Sequence, residues 1–231
     1  MKTPSKIKQT RIDFWDSLYK TKGKIYGDEP SQFAKYLSHA LTGKNCGNSL
    51  ELAGGYGRNC VILAQNGIQV TCNDTSYYAL EIGRNECKKR GIDNIKFVQE
   101  DVLEMVYNED FDVIFSNFIF HLFLKEEREE IFKRSCCALK GNGYFLNTFL
   151  SIEDADFGIG KEFETNTYLK EDEPNKPQHF FTKGEVEELH TKHGFSIEVI
   201  ETSKEMEWLA YKNLRHEINF WQAIARKRVQ L

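Results

Sequence analysis

The sequence predicts an α/β fold with a mostly parallel central sheet, because strand-like and helix-like segments alternate along most of the chain. Seven short apolar segments have the character of strands, and segments with helical period separate most of them. Such alternation is typical of parallel strands joined by right-handed helical crossovers. The C-terminal segment is predicted to be an antiparallel strand. The prediction is therefore a Rossmann-like, seven-stranded sheet with helices on both faces.

The predicted elements follow in order along the chain. Strands are predicted at "SLELA", "IQVTCND", "IKFVQED", "FDVIFSNF", "YFLNTFL", "FSIEVIET" and "INFWQAIARKR". Helices are predicted at "DFWDSLY", "QFAKYLSHAL", "RNCVILAQNG", "YYALEIGRNECKKRG", "KEEREEIFKRSCCALKGNG" and "TKGEVEELHTKHG". Ser31 is the expected N-cap of the second helix, and Thr182 with Glu185 forms a capping box at the last one. Residues 151–181 show neither period and are predicted to be irregular and charged.

Composition excludes several classes of partner. The formal net charge is −4, so the chain carries no overall basic field that would attract nucleic acid. The longest apolar runs have the length of strands, far short of the ~20 residues of a membrane span. The N-terminal segment lacks the apolar core of a signal peptide. The six cysteines form no CxxC pair, so we predict no metal site. Some of them fall in strand- or helix-like segments, as buried free thiols do in reducing compartments, so we expect a cytoplasmic protein.

A cluster of glycines follows the first core strand in "SLELAGGYGRNCVILAQNG", residues 49–67. Gly54, Gly55 and Gly57 occupy three of four consecutive positions, although glycine lowers stability by roughly 0.5–1 kcal/mol relative to alanine inside regular structure. Ligands of parallel sheets bind beyond the carboxyl ends of the strands, where this turn lies. The cluster therefore indicates a ligand that approaches the backbone, with a helix N-terminus directed at it. A tight strand-to-helix turn without a ligand is the alternative.

The glycine spacing weighs against a dinucleotide. The dinucleotide fingerprint G-x-G-x-x-G needs a third glycine for close packing of helix and strand. From Gly55, the pattern continues with Gly57 and then Cys60, so the third glycine is missing. A nicotinamide-dependent oxidoreductase stays open as the less supported interpretation.

Carboxylates end or follow three consecutive predicted strands. Glu51 lies on the first strand, Asp74 ends the second and Asp101 ends the third. Their side chains are expected at one edge of the sheet, where they suit a ligand with a cationic amino-acid part, a ribose diol and an adenine amine. Taken alone, Asp74 is also a favoured helix N-cap, and Asp101 a capping or turn residue. The three positions together favour a shared ligand.

Four motifs, "ELAGGYGRN", "VTCNDTS", "VQEDVLE" and "FDVIFSNFIFHLF", resemble the successive motifs of class I S-adenosylmethionine-dependent methyltransferases. The branch that the chain resembles best contains the tellurite-resistance and thiopurine methyltransferases. "FWDSLYKTKGKIYGDEPS" is similar to that branch's N-terminal segment, and "FFTKGEVEELHTKHGFSIEVIE" with "FWQAIARK" is similar to its C-terminal helix and strands. Residues 151–178 and 203–216 match poorly. Ala53 replaces the usual first glycine of the loop.

The resemblance implies a role for each matching residue. Glu51 would attract the ammonium group of the cofactor S-adenosyl-L-methionine, Asp74 would accept both ribose hydroxyls, and Asp101 would accept the adenine amine. The backbone N–H of Val102 would donate to the adenine ring, and Tyr26 could cover the cofactor. The remaining implied cofactor contacts are Ala53, Gly54, Gly55, Gly57, Asn59, Thr75 and Asn117.

We therefore predict one methyltransferase domain over residues 1–231. It divides into an N-terminal helical cap at 1–45, a cofactor-binding core at 46–150, a substrate-side insertion at 151–181 and a C-terminal helix and strand pair at 182–231. The insertion is rich in acidic residues, which disfavours polyanions such as tRNA or DNA as substrates.

The expected reaction is in-line methyl transfer to a small-molecule nucleophile, which could be a thiol, an amine or a chalcogen oxyanion. Asn117, on the methyl-transfer face, and His121 are the catalytic candidates, although a histidine in "IFHLF" is also a common partly buried structural residue. A non-catalytic module that binds S-adenosylmethionine is a second interpretation. The sequence does not indicate an oligomeric state.

Overall fold

A seven-stranded sheet forms the centre of the protein, as the sequence predicts. The computed structural model describes residues 4–44, 46–170 and 176–229. The sheet strands are β1 (Asn48–Glu51), β2 (Gln69–Asp74), β3 (Ile95–Gln99), β4 (Phe111–Ser116), β5 (Leu139–Leu150), β9 (Phe195–Leu209) and β10 (Leu214–Lys227), and three shorter strands are described below. Their order across the sheet is β3-β2-β1-β4-β5-β10-β9. The strands from β1 to β5 pair in parallel, and β10 runs antiparallel to both β5 and β9.

Six helices surround this sheet. They are α1 (Pro4–Lys22), α2 (Gln32–Ala40), α3 (Cys60–Gln65), α4 (Tyr77–Arg90), α5 (Lys125–Ala138) and α6 (Lys183–Lys192). Ser31 and Thr182 cap α2 and α6 as expected, since each side chain accepts a first-turn backbone N–H. Ser76, and not Asp74, is the N-cap of α4. No helix within the described residues is long and apolar enough to cross a membrane.

Both faces of the sheet are buried, which confirms the predicted helix layers. On β4, Val113 and Phe115 belong to a cluster with α2 and α3, whereas Ile114 packs on the opposite side with α5 and α6. A central parallel strand covered on both faces has no wet side, so its sequence is continuously apolar. This packing fixes the carboxyl edge of the sheet, where the predicted ligand residues lie.

The insertion at 151–181 contains regular structure, so the prediction of an irregular segment was wrong. β6 (Lys161–Glu164), β7 (Thr167–Leu169) and β8 (Pro177–His179) form a separate antiparallel sheet. Strands of three or four residues are too short for an alternation of apolar and polar residues to be recognised among the charged residues around them. Three acidic residues of this segment, Glu171, Asp172 and Glu173, lie outside the described residues.

The last two strands are much longer than predicted. β9 and β10 contain 15 and 14 residues and are joined at a short 3₁₀ turn, Ala210–Lys212. In "TSKEMEWL", charged residues occur at both odd and even positions. The alternation of apolar and polar residues that indicates a strand is therefore hidden, and the extension of β9 was not predicted. The hairpin reaches the N-terminal segment, where the backbone N–H of Ala210 donates to the carbonyl of Ile25 at 2.8 Å. A smaller correction concerns "KGNG", which belongs to β5 and not to the end of α5.

Two exposed glycines differ in backbone conformation, so replacing each by alanine should change the stability of the protein in opposite directions. Gly91 ends α4 at φ +65°, whereas Gly184 lies in the first turn of α6, and a Cβ at either position would meet no atom within 4 Å. Gly91→Ala should lower the free energy of unfolding by about 1 kcal/mol, because L-residues disfavour left-handed backbone. Gly184→Ala should raise it by roughly 0.4–1 kcal/mol. Urea unfolding of both variants checks this, and shifts of the same sign would contradict it.

Candidate active site

A cavity of about 420 Å³ opens at the carboxyl edge of the sheet, within the usual range of ~300–1,000 Å³ for small-molecule sites. It gathers most of the residues that the sequence singled out. Both catalytic candidates and eleven of the twelve predicted cofactor contacts line it: Tyr26, Glu51, Ala53, Gly54, Gly55, Asn59, Asp74, Thr75, Asp101, Val102, Asn117 and His121. Gly57 is the exception, because it faces the ring of Phe97 under α4.

The glycine turn is held by the end of the neighbouring strand. The amide of Ala53 donates to the side chain of Asn73 at 2.9 Å, and that of Gly55 donates to Asp74 at 2.8 Å. Gly55 has φ +60°, and a Cβ there would lie 2.6 Å from the hydroxyl oxygen of Tyr19. Glycine is therefore required at position 55 by both backbone and space. Ala53 also has a positive φ, 47°, at the position where the resembling family usually has glycine.

Glu51 is a carboxylate almost fully removed from solvent. It is 1% exposed and accepts hydrogen bonds from the Asn59 amide at 3.0 Å and from the Cys60 thiol at 2.8 Å. Desolvation raises its pKa to about 7, although these two hydrogen bonds and the charge of Arg58 act in the opposite direction. A ligand that brings a positive group to Glu51 would supply the missing compensation.

Asp74 connects two turns at the same edge. Its carboxylate accepts the backbone N–H groups of Gly55 and Ser76, both at 2.8 Å. Burial raises its pKa to about 6 in spite of these hydrogen bonds. Asp74 therefore organises the glycine turn and the start of α4 while it also lines the cavity.

Asp101 lies at the end of the cavity nearest α1. Lys8 of α1 makes an ion pair with its carboxylate at 3.0 Å, and the amide of Leu103 donates to it at 2.9 Å. The next residue, Val102, is buried and also lines the cavity. A ligand that used Asp101 would therefore share this carboxylate with Lys8.

Aromatic residues of the N-terminal segment close one side of the cavity. Trp15, Tyr19 and Tyr26 line it. Phe14 does not line the cavity and packs edge-on against Trp15 at a ring distance of 5.2 Å. The hydroxyl of Tyr56 donates to the carbonyl of Gly27 at 2.6 Å and fixes the link between α1 and α2. This aromatic wall lies against the glycine turn.

The β9–β10 hairpin supplies a wall that the sequence did not reveal. Glu207 forms an ion pair with Arg58 at 2.6 Å, and both side chains are about nine-tenths buried. Arg58 also donates to the carbonyl of Tyr26 at 3.2 Å. The ion pair joins residues 149 positions apart, so no local sequence pattern could have found it. The other cavity residues of the hairpin and its flanks are Leu209, Tyr211, Lys212, Leu214, His216 and Ile218.

The opposite end of the cavity is formed by residues that follow β4. Phe118 has φ +52°, unusual for a bulky residue, and its amide donates to the hydroxyl of Thr148 at 2.8 Å. His121 is partly buried, and burial lowers its pKa to about 3. Within the described residues, its buried Nδ1 atom has no hydrogen-bond partner. His121 therefore presents a neutral imidazole at neutral pH.

The insertion contributes a small part of this end. Asp156 lines the cavity and is paired with Lys170 at 2.7 Å, so its charge is largely compensated. His179 is structural, because its two ring nitrogens contact Thr167 at 2.7 Å and Glu185 at 2.8 Å. The acidic residues of the insertion thus do not form a strongly negative surface on the cavity in the described residues.

Residues 50–143 match a family described as a methyltransferase domain. No protein with a curated function matches the sequence closely. The structure is similar to 1,6-didemethyltoxoflavin-N1-methyltransferase from Burkholderia thailandensis, solved with 1,6-didemethyltoxoflavin and S-adenosylhomocysteine, at a TM-score of 0.75 and 19% identity over 99% of this chain and 92% of that one. The match over residues 50–143 supports the predicted resemblance to S-adenosylmethionine-dependent methyltransferases. The Burkholderia enzyme binds S-adenosylhomocysteine, the demethylated form of the cofactor that the sequence of this chain predicts.

Two further similar structures show how widely this fold is used. TehB from Haemophilus influenzae has a TM-score of 0.64 at 17% identity, with 93% of this chain and 67% of that chain covered. The cyclase SpnF has a TM-score of 0.70 at 14% identity, with 99% and 98% covered. At these identities the likeness concerns the fold alone. The acceptor of this methyltransferase must therefore be inferred from its own cavity.

Cofactor binding should release protons from Glu51. With a pKa of about 7 the free carboxyl is about half protonated at pH 7, and a bound ammonium group would lower that pKa. Binding of S-adenosylhomocysteine, which carries the same ammonium, should release roughly half a proton at pH 7, and its affinity should rise with pH up to about 7.

Calorimetry in two buffers of different ionisation enthalpy measures this release. Glu51→Gln should remove most of it, whereas Glu100→Gln, a change at another cavity-lining carboxylate, should retain it. Equal proton release by wild type and Glu51→Gln would contradict the assignment.

Proposed function

We propose that this methyltransferase transfers the methyl group to a small-molecule nucleophile bound in the same cavity as the cofactor. The observation that carries the proposal is that one cavity of about 420 Å³ combines two kinds of lining. The glycine turn and the acidic residues Glu51, Asp74 and Asp101 line it, and we assign them to the cofactor end. His121 and the apolar side chains of Phe118, Leu150 and Ile218, which pack together, also line it, and we assign them to the acceptor end.

In the proposed arrangement the protein holds the cofactor along the sheet edge. Glu51 attracts the ammonium group, Asp74 accepts the ribose hydroxyls, and Asp101 accepts the adenine amine. Val102 donates its backbone N–H to the adenine ring, and Thr75 and Asn59 border the same groups. The raised pKa values of Glu51 and Asp74 support this pose, since neither carboxyl group forms an ion pair within the described part of the chain.

The reaction requires little acid–base chemistry from the protein. S-adenosylmethionine supplies an electrophilic methyl group on a positively charged sulfur. Trp15, Tyr19 and Tyr26 border the cavity, where aromatic faces attract a nearby cation. Asn117 lines the same cavity and would orient the acceptor for in-line displacement.

The acceptor end contains one candidate proton acceptor, His121, so it suits a nucleophile that loses at most one proton. A thiolate reacts without a general base, whereas an amine or hydroxyl has to lose a proton. His121 is neutral because of its lowered pKa, so its imidazole can accept a hydrogen bond from an acceptor N–H, O–H or S–H. The six cysteines are all free thiols, which supports a reducing, cytoplasmic location.

A panel of acceptors tests the proposed function. Thiols, amines and chalcogen oxyanions are incubated with the protein and S-adenosylmethionine, and S-adenosylhomocysteine and methylated product are measured together by mass spectrometry. One class should yield both products in equal amounts. Binding of S-adenosylhomocysteine without turnover on any class would favour the non-catalytic binding module. Binding of NAD without binding of either sulfur ligand would overturn the proposal.

Asp74→Ala should weaken two properties at once. The affinity for S-adenosylhomocysteine should fall by about 1.5–3 kcal/mol, the scale of hydrogen bonds to a charged group. The melting temperature should fall as well, because the amides of Gly55 and Ser76 lose their acceptor. Calorimetry and thermal unfolding measure the two effects, with Asp93→Ala at an exposed position as the control. Lower stability with unchanged affinity would make Asp74 a structural residue only.

A further inference from the structure

Two thiols and a carboxyl group converge beneath the glycine turn. Glu51 on β1 is the register partner of Cys72 on β2, so their side chains project from the same face of the sheet. Cys60, the first residue of α3, lies over them, and its thiol donates to Glu51. One oxygen and the two sulfur atoms all lie within 4.8 Å of one another. None of the three residues is more than 1% exposed.

These atoms suit a single soft metal ion in number and spacing. Tetrahedral Zn²⁺ binds thiolate sulfur at about 2.3 Å and carboxylate oxygen at about 2.0–2.2 Å, which places neighbouring ligand atoms roughly 3.3–3.8 Å apart. Small side-chain rotations would bring the group to that spacing. Space for rotation exists because residue 54 has no side chain: a Cβ there would lie 2.7 Å from the Cys72 sulfur and 2.9 Å from a Glu51 oxygen.

The basic residue of the glycine turn does not neutralise this group. Arg58 is paired with Glu207 at 2.6 Å, so its charge is already compensated elsewhere. A second possible group, Asp154, Asp156 and His216, differs in this respect. Its carboxylates already accept two backbone amides and the ammonium of Lys170.

Access to the thiol group passes through the cofactor cavity. Glu51 and Gly54 line the cavity, whereas the two cysteines lie behind them. An ion reaching the cysteines would occupy Glu51, the same carboxylate that is proposed to receive the ammonium of the cofactor. A bound divalent ion would neutralise the negative charge of Glu51 and repel the ammonium group, so ion and cofactor are expected to compete.

We propose that Glu51, Cys60 and Cys72 form a site for one thiophilic divalent ion, Zn²⁺ or Cd²⁺, that excludes the cofactor when it is filled. The two thiols give up their protons to solvent as the metal–sulfur bonds form, and Glu51 binds as the carboxylate. A fourth position of the ion faces the cavity. The exclusion of the cofactor rests on the function proposed above, but the metal site itself does not.

Direct titration tests the metal site. Protein treated with a chelator and kept reduced is titrated with Zn²⁺ against a competing indicator, with no cofactor present. Wild type should bind one equivalent tightly, and Cys60→Ser and Cys72→Ser should each bind at least 100-fold more weakly. Cys87→Ser, which removes a buried thiol of α4 outside the group, should bind like wild type. No binding by wild type, or equal binding by all variants, would overturn the site.

Cd²⁺ gives a measurement that needs no variant. Its thiolate complexes absorb in the ultraviolet, so wild-type protein should show a charge-transfer band that saturates at one equivalent with the intensity of two thiolates. A band that reaches only one thiolate, or that keeps growing past one equivalent, would contradict the proposed ligand set.

The competition is measured with S-adenosylhomocysteine. Its affinity for wild type should fall at least tenfold when Zn²⁺ saturates the site, and a chelator should restore it. Zn²⁺ should have no effect on Cys72→Ser. Tight Zn²⁺ binding with unchanged S-adenosylhomocysteine affinity would disprove the competition. Absence of S-adenosylhomocysteine binding even with chelator would instead contradict the proposed function and leave the titration of the metal site decisive.

Discussion

The hydrogen bond from the amide of Gly55 to the carboxylate of Asp74 joins the two turns on which the site depends. It connects the loop after β1 to the end of β2 at 2.8 Å, and the same carboxylate holds the amide of Ser76 at the start of α4. The amides of Ala53 and Gly54 add two hydrogen bonds from the same loop to Asn73, and Asp74 extends this network to the start of α4. Because the carboxylate of Asp74 is buried, its charged form is desolvated and its pKa is raised.

Glu51 and Asp74 together explain why the site favours a ligand over water. Burial raises the pKa of both carboxyl groups by more than their hydrogen bonds compensate, to about 7 for Glu51 and about 6 for Asp74. A ligand with an ammonium group and a pair of hydroxyls removes that imbalance at both positions. Buried groups that destabilise the free protein and stabilise a complex are characteristic of functional sites.

The parts of the structure that sequence could predict are those determined locally. Glycines at a strand-to-helix turn and carboxylates at strand ends have positions fixed by their own element, so Gly55, Asp74 and Asp101 were found from spacing alone. The parts that sequence could not predict depend on distant pairs. Lys8 with Asp101 and Arg58 with Glu207 each join residues far apart in the chain, and no periodic pattern records such contacts.

The same distinction separates the cofactor half of the site from the acceptor half. The family match at 50–143 contains the glycine turn and all three strand-end carboxylates. The acceptor end adds walls from outside that range, including β10 and the insertion around β7 and β8. A domain match can therefore assign the reaction while the acceptor is determined by segments that the match does not reach.

Arg58 links the glycine turn to segments outside the family match. It follows Gly57 in the glycine turn, yet its guanidinium is bound to Glu207 of the hairpin and to the carbonyl of Tyr26 in the N-terminal link. Leaving one partner of a buried ion pair without the other destabilises a protein by roughly 3–5 kcal/mol. Separation of the glycine turn from the hairpin is therefore strongly unfavourable. A shift of the glycine turn would therefore be transmitted through Arg58 to the hairpin wall of the cavity.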